Sequence, residues 1–150
     1  MVCTKSEIHS VILQHLEKRM EQGRKDFLLA KESRDSDTKS SAGDKFETGR
    51  EMMQREMDKI SAALDMQKNQ LTQMQRISLI ENKTRIGIGS FITTDAENYY
   101  VSVGLGKLTC GETAFYAISA DSPLGELLMG KQVNDIIELR GRKITLKSIQ

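Results

Sequence analysis

The sequence is short of the residues that mark several protein classes. It has one proline, two cysteines and no tryptophan in 150 residues, and its apolar runs are only a few residues long. The cysteines, Cys3 and Cys110, lie far apart without Cys-x-x-Cys spacing, so we expect neither structural zinc nor a disulfide framework. Charges throughout residues 1–30 and the short apolar runs predict no secretory signal and no membrane span. We therefore expect a cytoplasmic protein with no membrane partner.

An excess of charge of one sign is also missing. The 22 basic residues stand against 21 acidic ones, which gives a formal net charge of +1. Before position 81 there are 14 basic and 13 acidic residues, and after residue 80 there are eight of each. No overall field can therefore hold nucleic acid or an anionic membrane, and any such binding must be local.

Composition changes near residue 80. Residues 1–80 hold seven of the eight methionines and three of the eleven glycines, whereas residues 81–150 hold eight glycines, the proline and five of the seven aromatic residues. We predict two domains with this boundary, residues 1–80 and 81–150, in an α+β protein.

The first domain has the apolar period of a coiled coil. Spacings of three and four recur in two series, Leu13, Leu16, Met20, Gly23, Phe27 and Ala30, then Phe46, Arg50, Met53, Met57, Ile60, Leu64, Gln67, Leu71 and Met74. Between them, Glu32 to Gly43 contains no large apolar residue and is typical of a turn. We predict an antiparallel helical hairpin with its tip at about residues 32–44. Its second arm, Asp44 to Ser78, should be about 50 Å long at ~1.5 Å per residue.

The second domain is predicted to be a small antiparallel sheet. Five segments are rich in β-branched and aromatic residues: Arg85 to Thr94, Asn98 to Gly106, Thr113 to Ser119, Asp135 to Leu139 and Lys143 to Ile149. Ser122 and Pro123 can start a short helix that Gly130 ends. Its leucines, Leu124, Leu127 and Leu128, should face the sheet. In the adjacent pairs Tyr99-Tyr100 and Phe115-Tyr116, we expect one aromatic side chain to face outward.

One segment of the second domain resembles a known family. Residues 122–131 read S-P-L-G-E-L-L-M-G-K and are followed by V-N-D-I-I. This is similar to the S-P-(I/L)-G-x-A-L-L-G-K-x-x-G-D-x-V segment of the GreA/GreB family of bacterial transcript cleavage factors. Leu127 replaces the family's alanine and Asn134 its glycine. The family also has an N-terminal coiled-coil hairpin and a C-terminal domain of FKBP-like fold, so the resemblance covers essentially the whole chain.

The resemblance implies a function in transcription elongation. It implies that the C-terminal domain docks on RNA polymerase, with Ser122, Pro123, Leu124, Gly125 and Lys131 as candidate contacts, and that the hairpin enters the secondary channel. Two carboxylates at the family's tip help to hold a Mg²⁺ shared with the polymerase, which then hydrolyses its own backtracked nascent RNA. The protein would act as a monomer and would not itself be an enzyme. No Ser/His/Asp or Cys/His grouping argues otherwise.

The tip sequence can be aligned with the family in two registers. In the first, Gly43-Asp44-Lys45-Phe46-Glu47 matches the family's G-D-x-x-E, and Asp44 and Glu47 would be the metal-binding and catalytic pair. In the second, Phe46, Arg50 and Glu51 match Y-x-x-x-R-E, which puts Lys39 and Ala42 at the carboxylate positions. The protein would then bind the channel and modulate or inhibit transcription without promoting cleavage.

Simpler interpretations of the same residues stay open. Asp44 and Glu47 have the spacing of a capping box at the start of the second helix. Asp35 and Asp37 could supply acidic contacts at the tip, or could be solvated turn residues. A hairpin of this kind can also be a dimerisation module with no polymerase partner.

Overall fold

The first part of the chain forms a helical hairpin. The computed structural model describes residues 3–36, 44–80 and 84–150, with only the backbone described for residues 44–46. Helix α1 spans Lys5–Ser36 and α2 spans Asp44–Gln75, 32 residues each. Late residues of α1 meet early residues of α2, because Arg34 Nη1 donates to Gln54 Oε1 at 2.7 Å while Gly23 lies against the Leu64 side chain. The predicted antiparallel hairpin is confirmed.

The seam of the hairpin follows most of the predicted apolar series. Leu16, Met20, Ala30 and Met57 are buried along it. Toward the start of α1 the buried residue is Ile12, and the predicted Leu13 is half-buried, because the stripe there advances four residues at a time. Arg50 was predicted on the seam but is exposed, as expected of a guanidinium that has water within reach.

The predicted tip is partly helical. Glu32 to Ser36 continue α1, because exposed helical positions accept polar side chains and need no apolar partner. The prediction of a turn beginning at Glu32 is therefore wrong for these five residues. The rest of the predicted turn, residues 37–43, lies outside the described residues. Helix α2 ends at Gln75, three residues before the predicted Ser78.

A mixed six-stranded sheet follows the hairpin in the described residues. Its strands are β1 Phe91–Thr94, β2 Asn98–Val101, β3 Gly106–Cys110, β4 Thr113–Ile118, β5 Ile136–Leu139 and β6 Arg142–Ile149, in the order β3-β4-β2-β1-β6-β5. Helix α3, Pro123–Leu128, lies between β4 and β5 in the sequence. The α+β class and the short helix are confirmed.

The sheet departs from the prediction in its pairing and strand limits. It is not wholly antiparallel, because the chain leaves β2, forms the outer strand β3 and returns as β4 parallel to β2. The predicted strand Asn98 to Gly106 therefore splits, and β3 was not predicted. The strand predicted from Arg85 begins only at Phe91, since Gly89 has a φ of +93° and Ile86 N bonds to Lys131 O at 2.9 Å instead of a strand.

Both faces of the sheet are covered around its central strand β2. Tyr99 packs with Leu128 of α3 and with apolar residues of β1, β5 and β6. Tyr100, on the opposite face, donates or accepts one hydrogen bond with His9 of α1, with 2.8 Å between the Tyr100 hydroxyl and His9 Nδ1. Tyr99 and Tyr100 are both at least 95% buried, so the prediction that one of them faces outward is wrong. Adjacent strand residues do point to opposite faces, but here neither face is solvent.

Contacts divide the chain into two compact units. One comprises residues 1–14 and 72–150, which we call the sheet unit, and the other comprises residues 15–71, which we call the hairpin unit. These units are defined by contacts between residues, whereas the boundary at residue 80 was predicted from a change in composition. The predicted boundary therefore stays a prediction. None of the described helices combines the length and the apolar character that crossing a membrane requires.

Candidate functional site

The two helices of the hairpin unit are joined by polar side chains near the end of α1. Arg34, in the last turn of α1, donates to Gln54 Oε1 at 2.7 Å and through Nε to Asp35 Oδ1 at 3.1 Å. Gln54 Nε2 in turn donates to Asp58 Oδ1 at 3.0 Å, one helical turn further along α2. The Arg34 side chain is only 20% exposed, against 53% for Asp35. Arg34 therefore fixes the helix register here and leaves the acidic side chain in contact with water.

A shallow groove lies along the first turns of α2. Glu47, Arg50, Glu51 and Gln54 line it, and its volume is about 500 Å³. Glu47 and Glu51 are both exposed and stand four residues apart, so their side chains lie on the same side of the helix. The groove offers two carboxylates and a guanidinium to a partner.

The structure describes some of the residues that were predicted at the tip and not others. Glu47 is in the first turn of α2, as both its proposed roles require. Asp44 is the first residue of α2, but its side chain lies outside the described residues, as does all of Asp37. Neither the carboxylate pair nor the capping box is tested, and both stay predictions. Asp35 belongs to α1 and not to a loop, because the helix extends to Ser36.

The exposed carboxylates near the start of α2 are of the chemical type that binds a hard cation. Exposed carboxylates are the ligands that Mg²⁺ takes from proteins, one or two at a time, with waters completing the shell. Within the described part of the hairpin unit, no three metal-ligating side chains come together.

Three residues of the S-P-L-G segment have structural roles: they start helix α3 and pack it against the sheet. Ser122 is the N-cap of α3, where its Oγ accepts a hydrogen bond from Gly125 N at 3.0 Å, and Pro123 occupies the first turn. Leu124 packs at the border of the sheet core and Leu128 is fully buried. Leu127, predicted to face the sheet, is 36% exposed, because its position on this two-turn helix turns away from the core.

Gly125 is required by close packing. A Cβ at this position would collide with the carbonyl oxygen of Ser119 and would lie 2.9 Å from that of Ala120. Lys131 is exposed, and its backbone nitrogen bonds to Leu128 O at 3.0 Å as the chain leaves the helix. Asn134 has a φ of +75°, a conformation that asparagine tolerates and glycine favours. Contact of this segment with a partner stays a prediction.

Two features of the sheet unit were missed by sequence reasoning. The structure joins Cys3 and Cys110 in a disulfide, with 6.3 Å between their Cα atoms, so the expectation of no disulfide framework is wrong for this pair. Only folding brings residues 107 positions apart together, and spacing gives no signal for it. The sequence did carry a signal for the start of α1, although not for the disulfide. Thr4 and Glu7 have the spacing of a capping box, and in the structure they form one.

The second missed feature is the buried pair of His9 and Tyr100. Their rings meet edge to face with 6.0 Å between centroids, and His9 is 94% buried. Burial lowers the pKa of His9, and the charge of Lys5 lowers it further. Burial also raises the pKa of the Tyr100 hydroxyl. Both groups are therefore neutral near pH 7, as a buried hydrogen-bonded pair requires.

Comparison with known proteins gives a limited result. The chain matches no protein-family model, and no curated protein matches it. Among solved structures, it is similar to one described as "Structure of the transcription factor Gfh1", with 21% identity, a TM-score of 0.39, and coverage of 91% of this chain and 90% of that one. Similarity at this level leaves the function to be argued from the residues.

Proposed function

We propose that this protein is a transcription factor that inserts its hairpin into the secondary channel of RNA polymerase and stimulates cleavage of backtracked RNA. The observation that carries the proposal is an exposed carboxylate, Glu47, in the first turn of the second arm of a hairpin with two 32-residue helices. Each helix is about 48 Å long at ~1.5 Å per residue, which suits a probe better than one side of a small core. The similarity of residues 122–131 to the GreA/GreB family supports the same function.

In this proposal the chain supplies ligands and does not perform hydrolysis. Glu47, with Asp44 three residues earlier, would hold one face of a Mg²⁺ whose remaining ligands come from the polymerase and from water. A magnesium ion held there would lower the pKa of a bound water and stabilise the leaving oxygen. The ordered bridge from Arg34 to Gln54 would keep the two helices in register, so that the carboxylates stay in place.

A factor that binds the channel without promoting cleavage is the second candidate. The observation that favours it is the groove itself, because Arg50 and Glu51 line it beside Glu47. These two residues match the family's R-E in the second register. In that case the groove would bind the channel wall, and Glu47 would contribute contact rather than catalysis.

The exposed apolar side chains of the hairpin unit favour a third candidate, self-association. Leu28, Leu29, Met52 and Met66 are each more than half exposed. Light scattering decides this point, since a stable dimer with no binding to purified polymerase would support a dimerisation module and contradict both channel functions.

The decisive experiment compares matched carboxylate variants in a stalled, backtracked transcription complex. The double variant Asp44→Asn/Glu47→Gln should lose stimulated RNA cleavage and still bind polymerase. Glu56→Gln is the control, because it removes an exposed carboxylate of the same helix outside the groove and should leave cleavage unchanged. Cleavage by the double variant at the parent rate would contradict the site. A parent protein that binds and inhibits but never stimulates cleavage would establish the second candidate.

A further inference from the structure

We propose that Cys3, Glu7 and Cys110 form a metal site that takes a thiophilic divalent cation, with Zn²⁺ as the probe, when the disulfide is reduced. The ligand atoms of these three side chains all lie within 4.8 Å of one another, and no other group of this kind is found among the described side chains of residues 3–36, 47–80 and 84–150. All three residues belong to the sheet unit, far in sequence from the hairpin end. The inference does not depend on the proposed function.

The chemical types of the three ligands suit zinc. Thiolate sulfur and carboxylate oxygen are both common zinc ligands, at about 2.3 Å and 2.0–2.2 Å, and three protein ligands leave a fourth position for water. Sulfurs on a tetrahedral ion with those bond lengths stand about 3.8 Å apart. In the oxidised protein the two sulfurs are bonded to each other, so they must separate to this distance after reduction, while the Glu7 carboxylate already lies within 4.8 Å of both.

Two of the three ligands are held in place by the fold. Cys110 ends β3 and pairs with Thr113 across the β3–β4 hairpin. Glu7 is oriented by Thr4, whose backbone nitrogen and Oγ1 donate to Glu7 Oε1 at 3.1 and 3.0 Å. Hydrogen bonds that orient a ligand from behind are typical of metal sites. Cys3 precedes α1 outside any helix or strand, so it can move to adjust the distance between the sulfurs.

The change from disulfide to metal site balances with a dithiol as the reductant. One thiolate of the dithiol attacks a sulfur of the disulfide and forms a mixed disulfide, and its second thiol resolves this by closing its own S–S bond. The protein gains two electrons and two protons and holds two thiols. Binding of Zn²⁺ then releases both thiol protons to solvent and leaves two thiolates on the ion.

The exposure of the three residues fits a site that is open on one side. Cys110 is 7% exposed, Cys3 is half-buried and Glu7 is exposed. The partly buried sulfurs shield the ion from competing water, while the exposed carboxylate leaves a route for the ion to enter. An alternative explanation of Glu7 is that it only caps α1, and the variants below separate the two roles.

The test is an anaerobic zinc titration of the full-length protein against a chromophoric chelator, before and after reduction and removal of the dithiol. We expect one equivalent of Zn²⁺ to bind to the reduced protein and none to the oxidised protein. Cys110→Ser and Cys3→Ser should abolish binding. Glu7→Gln should weaken binding at least tenfold, although glutamine preserves the capping box and hence the helix start.

A spectroscopic readout keeps the test independent of variant stability. Co²⁺ bound to the reduced parent should show thiolate-to-metal charge-transfer absorption, which a merely structural cysteine pair would not produce. Absence of zinc binding by the reduced parent would overturn the proposal, and so would parent-like binding by Cys110→Ser. Unchanged affinity in Glu7→Gln would overturn the assignment of the carboxylate as a ligand.

Discussion

The sheet unit and the hairpin unit bury their apolar residues in different ways. In the sheet unit, aromatic side chains such as Phe91, Tyr100 and Phe115 are essentially inaccessible, and both faces of the sheet are covered around its central strands. In the hairpin unit, two helices bury one seam between them, and large apolar residues such as Leu29 and Met66 stay more than 60% exposed. Two helices have no third layer to cover their outer faces. The sheet unit can therefore keep its structure by packing, while the hairpin unit depends on its seam and leaves its surface available.

Core truncations should show the largest difference between the units. Phe115→Ala removes a fully buried ring that meets Phe91 edge to face at 6.4 Å between centroids. We expect it to lower the free energy of unfolding of the sheet unit by about 3–5 kcal/mol. The matched change in the seam, Met57→Ala, should cost about 2 kcal/mol, because a two-helix layer can collapse around the gap. Amide exchange of each unit measures both, and equal losses would contradict the comparison.

Reduction of the disulfide should affect only the sheet unit. Cys3 and Cys110 both belong to it, and they close a loop across 107 positions. In the presence of a metal chelator, we expect reduction to lower its free energy of unfolding by about 2–5 kcal/mol. Amide exchange in residues 15–71 should stay as it was. Faster exchange along the hairpin seam after reduction would show that the two units are not independent.

Gln67 tests whether a polar side chain on the seam lowers the stability of the hairpin unit. Its Oε1 is buried on the seam and finds no hydrogen-bond partner among the described residues. Gln67→Leu should therefore raise the free energy of unfolding by about 1 kcal/mol, by removing an unsatisfied polar group. Denaturant unfolding followed by circular dichroism measures this. A destabilised Gln67→Leu protein would indicate that the amide has a partner or fixes the helix register.

The smallest expected effect is a dependence of stability on pH in the sheet unit. Because burial and Lys5 lower the pKa of His9, its ring is neutral in both folded and unfolded chains above its ordinary pKa of about 6.5. As pH falls through 6.5, the unfolded chain takes up a proton that the folded chain resists, so the free energy of unfolding decreases.

Two glutamine variants separate the contributions of the histidines. His9→Gln, which can still bond to the Tyr100 hydroxyl, should flatten the loss of stability between pH 7 and pH 5. His15→Gln should change it less, because His15 in the hairpin unit is only partly buried, although burial and the charges of Arg19 and Lys18 also lower its pKa. Equal flattening by the two variants would argue against the buried pair as the cause.

Much of the fold could be predicted from local sequence. The seam from Leu16 to Ala30 and from Met53 to Met74 follows from apolar period, and the start of α3 follows from Ser122 and Pro123. The candidate site itself stays a prediction. Glu47 is exposed in the first turn of α2, where the first register places it. The motif did not show why residue 125 must be glycine. Only glycine fits at position 125 because the carbonyl oxygens of Ser119 and Ala120 lie where a Cβ would be, and they reach that place only after the chain has folded.

The division into a helical hairpin and a strand-rich part, and the local helix signals, follow from the order of the amino acids alone, because they depend on residues a few positions apart. Three features were visible only in the folded chain: β4 lies parallel to β2, Tyr99 and Tyr100 are both buried, and Cys3, Glu7 and Cys110 meet. Each of these depends on contacts between distant segments. Periodicity carries no information about which distant segments pair, so such contacts follow from the packing of the whole unit.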